Sequence, residues 1–275
     1  MTIDVGGSKT AWYMGLRPGQ VAERCVLIGD RGRIDVFAAA MEEPEELTDR
    51  RGLRTITGRF DGVPVTVAAF GMGAPIAAVV LEELAALGAR VVLRSGTAMS
   101  LQPEALALGT FIVGVGGVRR EGTSRAYAPI EYPAVADSAM VAAAVSVLRE
   151  LELPYAVGLI ATTDGFYTEM LTPTDAPLES VDRFHADLRG LGVHAADMET
   201  ATILVVGRVL GLQAGSLCVV TVDGRRRSIL ADEARADRER ELVRATLATV
   251  TRVGTPSAAG DATAARAAGT FGPRP

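Results

Sequence analysis

One periodicity constrains this 275-residue chain more than any other feature. Short apolar, β-rich runs alternate with longer runs of helical period almost to the end. The candidate strands are Arg24–Ile28, Val63–Phe70, Arg90–Arg94, Thr110–Val118, Ala156–Thr162 and Ser216–Val222. The candidate helices are Asp35–Met41, Ile76–Leu87, Ser138–Leu151, Glu179–Leu191, Glu199–Leu210 and Ala231–Val253. Near-continuous apolar strands that alternate with helices predict an α/β fold with a mostly parallel sheet covered on both faces. No linker interrupts the pattern, so residues 1–253 read as one domain. From Gly254 the chain turns Gly-, Ala- and Thr-rich, and 254–275 reads as a disordered tail.

Composition narrows the partners. The formal net charge is −5, and the longest basic run is Arg225-Arg226-Arg227, which speaks against a nucleic-acid surface. All 28 basic residues but Lys9 are arginine, a bias that a GC-rich genome produces as readily as function does. No apolar run approaches the roughly 20 residues of a membrane span, and Met1–Thr10 holds no signal-peptide core. A cytoplasmic protein is expected. Cys25 and Cys218 sit in apolar runs and read as buried free thiols. There is no HExxH, CxxC or GxSxG, and the histidines are only His185 and His194. A metal site or Ser–His catalysis is not expected.

In an open α/β sheet, ligands bind beyond the carboxyl ends of the strands. After the first run comes Gly29-Asp30-Arg31-Gly32-Arg33, then a helix. A glycine turn and an arginine in the first helical turn suit an oxyanion. The alternative is a turn with Asp30 as the helix cap and Arg33 in solvent. The third run leads into Arg94-Ser95-Gly96-Thr97. An arginine at an apolar strand end needs a partner, either Glu82 or Glu83 on the preceding helix or a bound anion, with Thr97 as a further donor. Glu199 opens an apolar helix, where it can complement the helix dipole or accept from the cis-diol of a sugar. Phe166, in Asp164-Gly165-Phe166-Tyr167, can stack on a planar base or cap the core.

Together these residues resemble the nucleoside phosphorylase family, uridine phosphorylases in particular. The likeness runs from about Tyr13 to Val222. It is carried by Phe70–Pro75 (FGMGAP), Leu93–Thr97 (LRSGT), Val118–Ala136, Gly158–Tyr167 (GLIATTDGFY) and Gly192–Leu204 (GVHAADMETATIL). The resemblance implies an α/β fold with a mixed sheet around a distorted barrel, and phosphorolysis of a nucleoside with inorganic phosphate as co-substrate and no cofactor. It implies a homodimer as the minimal unit, often built into a hexamer. It assigns phosphate to Gly29, Arg33, Arg94 and Thr97, with Arg51 reaching the neighbouring subunit's site. Ribose falls to Met198 and Glu199, and the base to Phe166.

The departures gather at the base. The Gln and Arg that read uracil in the family have no counterpart in Thr168–Pro177, and Met99 replaces a small glycine. Asp223, or Gly224 beside it, stands where uridine phosphorylases hold an Arg and purine-acting relatives an Asp that protonates the leaving base. On that reading Asp223 joins Arg94 and Glu199 as a catalytic candidate. Tyr13 replaces a His that crosses to the partner's ribose. Gly52 and Ile76 replace the ligands of an intersubunit cation, so that ion is not expected. The base is then not plain uracil. A water-using nucleosidase and an inactive nucleoside-binding homologue are the alternatives.

Overall fold

A closed ring of five strands organises the molecule. The computed structural model describes residues 2–5, 8–170 and 179–255. The strands are β1 (Thr2–Val5), β2 (Ser8–Ala11), β3 (Arg24–Ile28), β4 (Glu42–Arg50), β5 (Leu53–Phe60), β6 (Val63–Ala69), β7 (Val91–Ser100), β8 (Phe111–Arg119), β9 (Ala134–Val135), β10 (Tyr155–Thr162), β11 (Val193–Asp197), β12 (Gln213–Asp223) and β13 (Ser228–Ile229). The helices are α1 (Arg33–Ala40), α2 (Ala74–Ala86), α3 (Ser138–Glu150), α4 (Glu179–Gly190), α5 (Thr200–Val209) and α6 (Asp232–Arg252). The sheet runs β13-β12-β8-β10-β11-β7-β3-β6-β5-β4, and β12 pairs with β7 as well, which closes β7-β12-β8-β10-β11 into a barrel. β1 and β2 form a separate hairpin.

The sheet is mixed, which corrects the mostly parallel arrangement expected from the run pattern. Parallel pairing joins β3 to β6 and β7, β7 to β12, and β10 to β8 and β11. The ring closes through the antiparallel pairs β7–β11 and β8–β12. The barrel interior is filled by Ala98, Ile112, Ile160, Ala195, Cys218 and Val220, so it is packed core and not a pore. Both cysteines are free and buried, as their apolar surroundings suggested.

Helices cover the two faces. α2 and α5 supply Leu81, Leu84, Ile203 and Val206 to one core, whereas α1, α3 and α6 supply Phe37, Met140, Leu148, Leu242 and Leu247 to the other. α3 starts at Asp137, whose Oδ1 accepts from the amides of Ala139 at 3.0 Å and Met140 at 3.3 Å. No helix among the described residues is long and apolar enough to cross a membrane. The tail expected from Gly254 lies, from residue 256 onward, outside the described residues, as does 171–177 of the base-side segment.

Candidate active site

The parallel strands β3, β6 and β7 point their carboxyl ends toward one cavity of about 470 Å³. That volume suits a small-molecule substrate. Gly29, Asp30, Arg31, Arg33, Gly71 and Met72 reach it from the ends of β3 and β6, and Arg94, Gly96, Thr97, Ala98 and Met99 from β7. Met198 and Glu199 enter between β11 and α5, Thr221 and Val222 from β12, Phe166 and Met170 from a π-helical turn after β10, and Arg235 from α6.

β7 does not end at Arg94 but continues to Ser100, so Arg94 sits inside a strand with only 5% of its surface exposed. Its head folds back over Gly96, where a Cβ would collide with the guanidinium, and this explains the glycine two residues on. Nη2 donates to Glu199 Oε2 at 2.5 Å and lies 3.3 Å from Asp197 Oδ2, while Nη1 meets Cys218 Sγ at 2.6 Å. The partner is therefore not Glu82 or Glu83. Glu83 accepts instead from the backbone amides of Tyr13 and Met14, at 2.7 and 2.8 Å. Burial works against the Arg94 charge, yet the groups around it hold its pKa above the ordinary arginine value. Burial pushes the Cys218 pKa up despite the guanidinium, so Cys218 meets Arg94 as a thiol and the two carboxylates are the counter-charge.

Asp197 also settles what Glu199 does. The Asp197 carboxylate accepts from the Thr200 amide at 3.2 Å and takes the Thr162 hydroxyl at 2.8 Å, so it satisfies the first turn of α5. Glu199, freed from that task, turns into the cavity, where Oε1 accepts from the Gly73 amide at 2.7 Å.

Arg33 is buried, not solvated, and its Nη2 reaches Glu239 Oε1 at 3.2 Å. Asp30 closes the preceding turn by accepting from the Gly32 amide at 2.8 Å, and Gly32 is the helix cap. At Gly29 the backbone runs so close to its neighbour that a Cβ would lie 2.9 Å from the Gly71 carbonyl. The Nε atoms of both Arg33 and Arg94 are buried without a partner. Each such buried, unpartnered donor costs free energy, and both arginines line the cavity. Thr97 lines the same wall.

The other end of the cavity is apolar, with Met99, Phe166, Met170 and Val222. Phe166 opens the π-helical turn and meets Tyr167 edge-to-face at 5.1 Å between centroids. Such turns displace one residue from the helical ladder and are frequent at functional sites. Met99 packs beside Gly224, where a Cβ would come within 2.9 Å of its sulfur.

Three candidates stand apart from the cavity. Asp223 is not among the residues lining the cavity, although Thr221 and Val222 before it are. Its Oδ1 accepts from the amides of Arg225 and Arg226, at 3.0 and 2.8 Å, and Oδ2 pairs with Arg226, so the carboxylate is spent closing the turn after β12. Arg51 and Tyr13 lie together on the surface. The Arg51 guanidinium is 5.3 Å from the Tyr13 ring and 5.9 Å from the ring of Trp12, at the tip of the β4–β5 hairpin. Residues missed from the sequence are Asp197, Cys218, Met170, Arg31 and Arg235. Asp197 carried a signal, an Asp three residues before a helix start. The others carried none.

A family model for the phosphorylase superfamily matches residues 23–252. The chain belongs to that superfamily. It is 36% identical over 211 residues to a uridine phosphorylase of Thermococcus kodakarensis, covering 76% of each chain. It is 31% identical over 230 residues to a guanosine phosphorylase of Halorubrum lacusprofundi, covering 84% of this chain and 89% of that one. Among solved structures, a uridine phosphorylase from Vibrio fischeri superposes with a TM-score of 0.81 at 29% identity, covering 89% of this chain and 98% of that chain. The protein is thus an enzyme of the nucleoside phosphorylase family, uridine phosphorylase-like, and the barrel flanked by helices is the fold of its solved relatives.

Proposed function

We propose that the protein cleaves the N-glycosidic bond of a ribonucleoside with inorganic phosphate, giving free base and ribose 1-phosphate, and that its base is not plain uracil. The observation that carries this reading is the convergence of two buried arginines, Arg33 and Arg94, on the cavity that also holds the Glu199 carboxylate. A phosphate dianion would lie against Gly29, Arg33, Arg94 and Thr97, which line the same cavity. Glu199 accepts from ribose hydroxyls while Gly73 and Arg94 hold it still, so C1′ faces the phosphate. A phosphate oxygen attacks C1′ as the C–N bond breaks, the base departs with the bonding pair, and the proton that hydrogen phosphate gives up passes through solvent to the base. Positioning supplies much of the acceleration, and the guanidiniums hold the dianion through charge-assisted hydrogen bonds.

The apolar end supports a base held by stacking and shape. Phe166 supplies the ring, and Met99, Met170 and Val222 the walls, which suits a purine or a modified pyrimidine. Asp223 is engaged in its turn, so the reading gives it no part in proton transfer. The surface cluster of Trp12, Tyr13 and Arg51 supports a homodimer in which these residues face the neighbour's cavity, itself the building block of a hexamer.

A nucleoside panel assayed with and without phosphate tests the reading. Phosphate-dependent release of base and ribose 1-phosphate is expected, with a purine or modified pyrimidine ahead of uridine. Turnover in phosphate-free buffer identifies a hydrolase instead, and saturable nucleoside binding without turnover identifies an inactive homologue. Either result overturns it.

A further inference from the structure

Arg31 and Arg235 are the cationic residues at the cavity that the phosphorolysis reading leaves unused, and Arg235 is the one that shares a carboxylate with Arg33. Arg235 lies near the start of α6, and its Nε donates to Glu239 Oε1 at 3.1 Å. The same oxygen takes Arg33 Nη2 at 3.2 Å. Two guanidiniums share one carboxylate oxygen, and one negative charge cancels only one of them. The trio runs from the interior to the rim, with side-chain exposures of 4% for Arg33, 18% for Glu239 and 41% for Arg235.

The surplus is local to this corner. Arg94 faces two carboxylates, Asp197 and Glu199. Arg31 is held by Asp49 through a forked pair of 2.7 Å hydrogen bonds. Arg33 and Arg235 have Glu239 between them and no other carboxylate within ion-pair distance among the described residues. Without Arg235, Arg33 and Glu239 form a neutral pair, and the one deep cation at the β3 end of the cavity is compensated before any ligand arrives.

We propose that Arg235 sets the affinity for the anionic co-substrate by occupying Glu239, so that Arg33 meets the incoming dianion as an uncancelled cation. The inference rests on the phosphorolysis reading and adds a residue that acts through another, without itself touching the reacting atoms. It also gives the direction of every charge change. Removing Arg235 makes the trio neutral and weakens the anion. Removing the Glu239 charge as well restores a single net positive charge, on Arg33, and restores affinity. A residue that merely braced α6 would show the opposite, with two lesions worse than one.

The test is steady-state kinetics with each substrate varied in turn, together with calorimetric titration of inorganic phosphate into the full-length protein. Because Arg235 is part-exposed, its field is screened, and R235Q is expected to raise the phosphate KM by roughly three- to tenfold, with kcat and nucleoside KM changed by less than about twofold. The gap narrows as salt is raised. R235K keeps most of the affinity, because the charge and not the fork matters. R235Q/E239Q returns the phosphate KM toward wild type. An R235Q enzyme that binds and uses phosphate as well as wild type overturns the proposal alone, as does a double variant weaker than R235Q. A wild-type enzyme that turns over without phosphate overturns the phosphorolysis reading and the proposal with it.

Discussion

Met99 and Gly224 make a coupled pair, and their coupling can be measured. Met99 is 2% exposed in β7, and a Cβ at Gly224 would approach its sulfur to 2.9 Å, tighter than real contacts allow. Gly224 has no positive φ, so a side chain there is opposed by Met99 and by the Ser100 carbonyl, not by its own backbone. Met99→Ala removes a buried side chain and is expected to cost about 2–5 kcal/mol. Gly224→Arg forces a large group against a filled space and is expected to cost about 1–3 kcal/mol. In the double variant the cavity left by the first change receives the second. The combined loss should then fall short of the sum by about 1–2 kcal/mol, well beyond the ~0.5 kcal/mol scatter of independent sites. Urea denaturation of the four proteins, each checked for an unchanged slope, gives the coupling directly. The same double variant puts a guanidinium at the base end of the cavity and should shift preference toward uridine in a substrate-competition assay. Additive stabilities would refute the contact between the two positions. Coupled stabilities with an unaltered preference would refute Met99 as a wall of the base site.

Three further expectations follow from the geometry. Arg94→Ala leaves Asp197 and Glu199 buried without their counter-charge, which is expected to destabilise by about 3–5 kcal/mol and to abolish phosphorolysis, whereas Arg94→Lys recovers stability better than rate. Thermal melts and single-turnover assays check both arms, and a stable, active alanine variant would remove the phosphate assignment. Asp137→Ala strips the cap of α3 and should cost about 1 kcal/mol with unchanged kinetics, read as a shift of the denaturation midpoint. His185 is buried, with Nε2 at 2.8 Å from the Glu169 carbonyl, and burial lowers its pKa below 6.5. With the folded value depressed, the unfolded chain binds the proton first, so stability is full above about pH 6.5 and declines as pH falls below it. His185→Gln should flatten that limb of the stability–pH curve, and an unchanged slope would show that His185 does not couple to folding.

Apolar burial made most of the scaffold readable. β3 carries the burial of a core strand, and α5 is buried from Thr200 through Gly207, so hydrophobicity alone marked both. β4 was invisible for the opposite reason. Its sequence, EEPEELTDR, is exposed along almost its whole length and is held by pairing with β5, a property of the backbone that side-chain chemistry does not advertise. β11 was hidden because VHAAD is too short and too mixed to stand out. Arg33 and Arg94 were legible as cavity residues because a glycine turn and an arginine in an apolar run are local patterns, although β7 runs on past Arg94 to Ser100. The partner of Arg94 was not, since Glu199 lies 105 residues away and only barrel closure brings it near. Arg235 was lost for a different reason, being one arginine among many on an amphipathic helix.

The distance between Arg94 and its counter-charges has a consequence for how the chain can be made. A ribosome delivers β3, α1, β6, α2 and β7 long before it delivers Asp197, Glu199 and Cys218, the last of these 124 residues downstream of the arginine. Until then a full charge stands where the core must close, and sealing the first half around it would strand that charge in a dry interior. The N-terminal half therefore has reason to stay open during synthesis, with its own hydrophobic faces waiting for β11 and β12. Completion of the barrel and appearance of the cavity beside Arg94 become one late event. A chain truncated before Asp197 should emerge as a chaperone client and not as a stable half-domain.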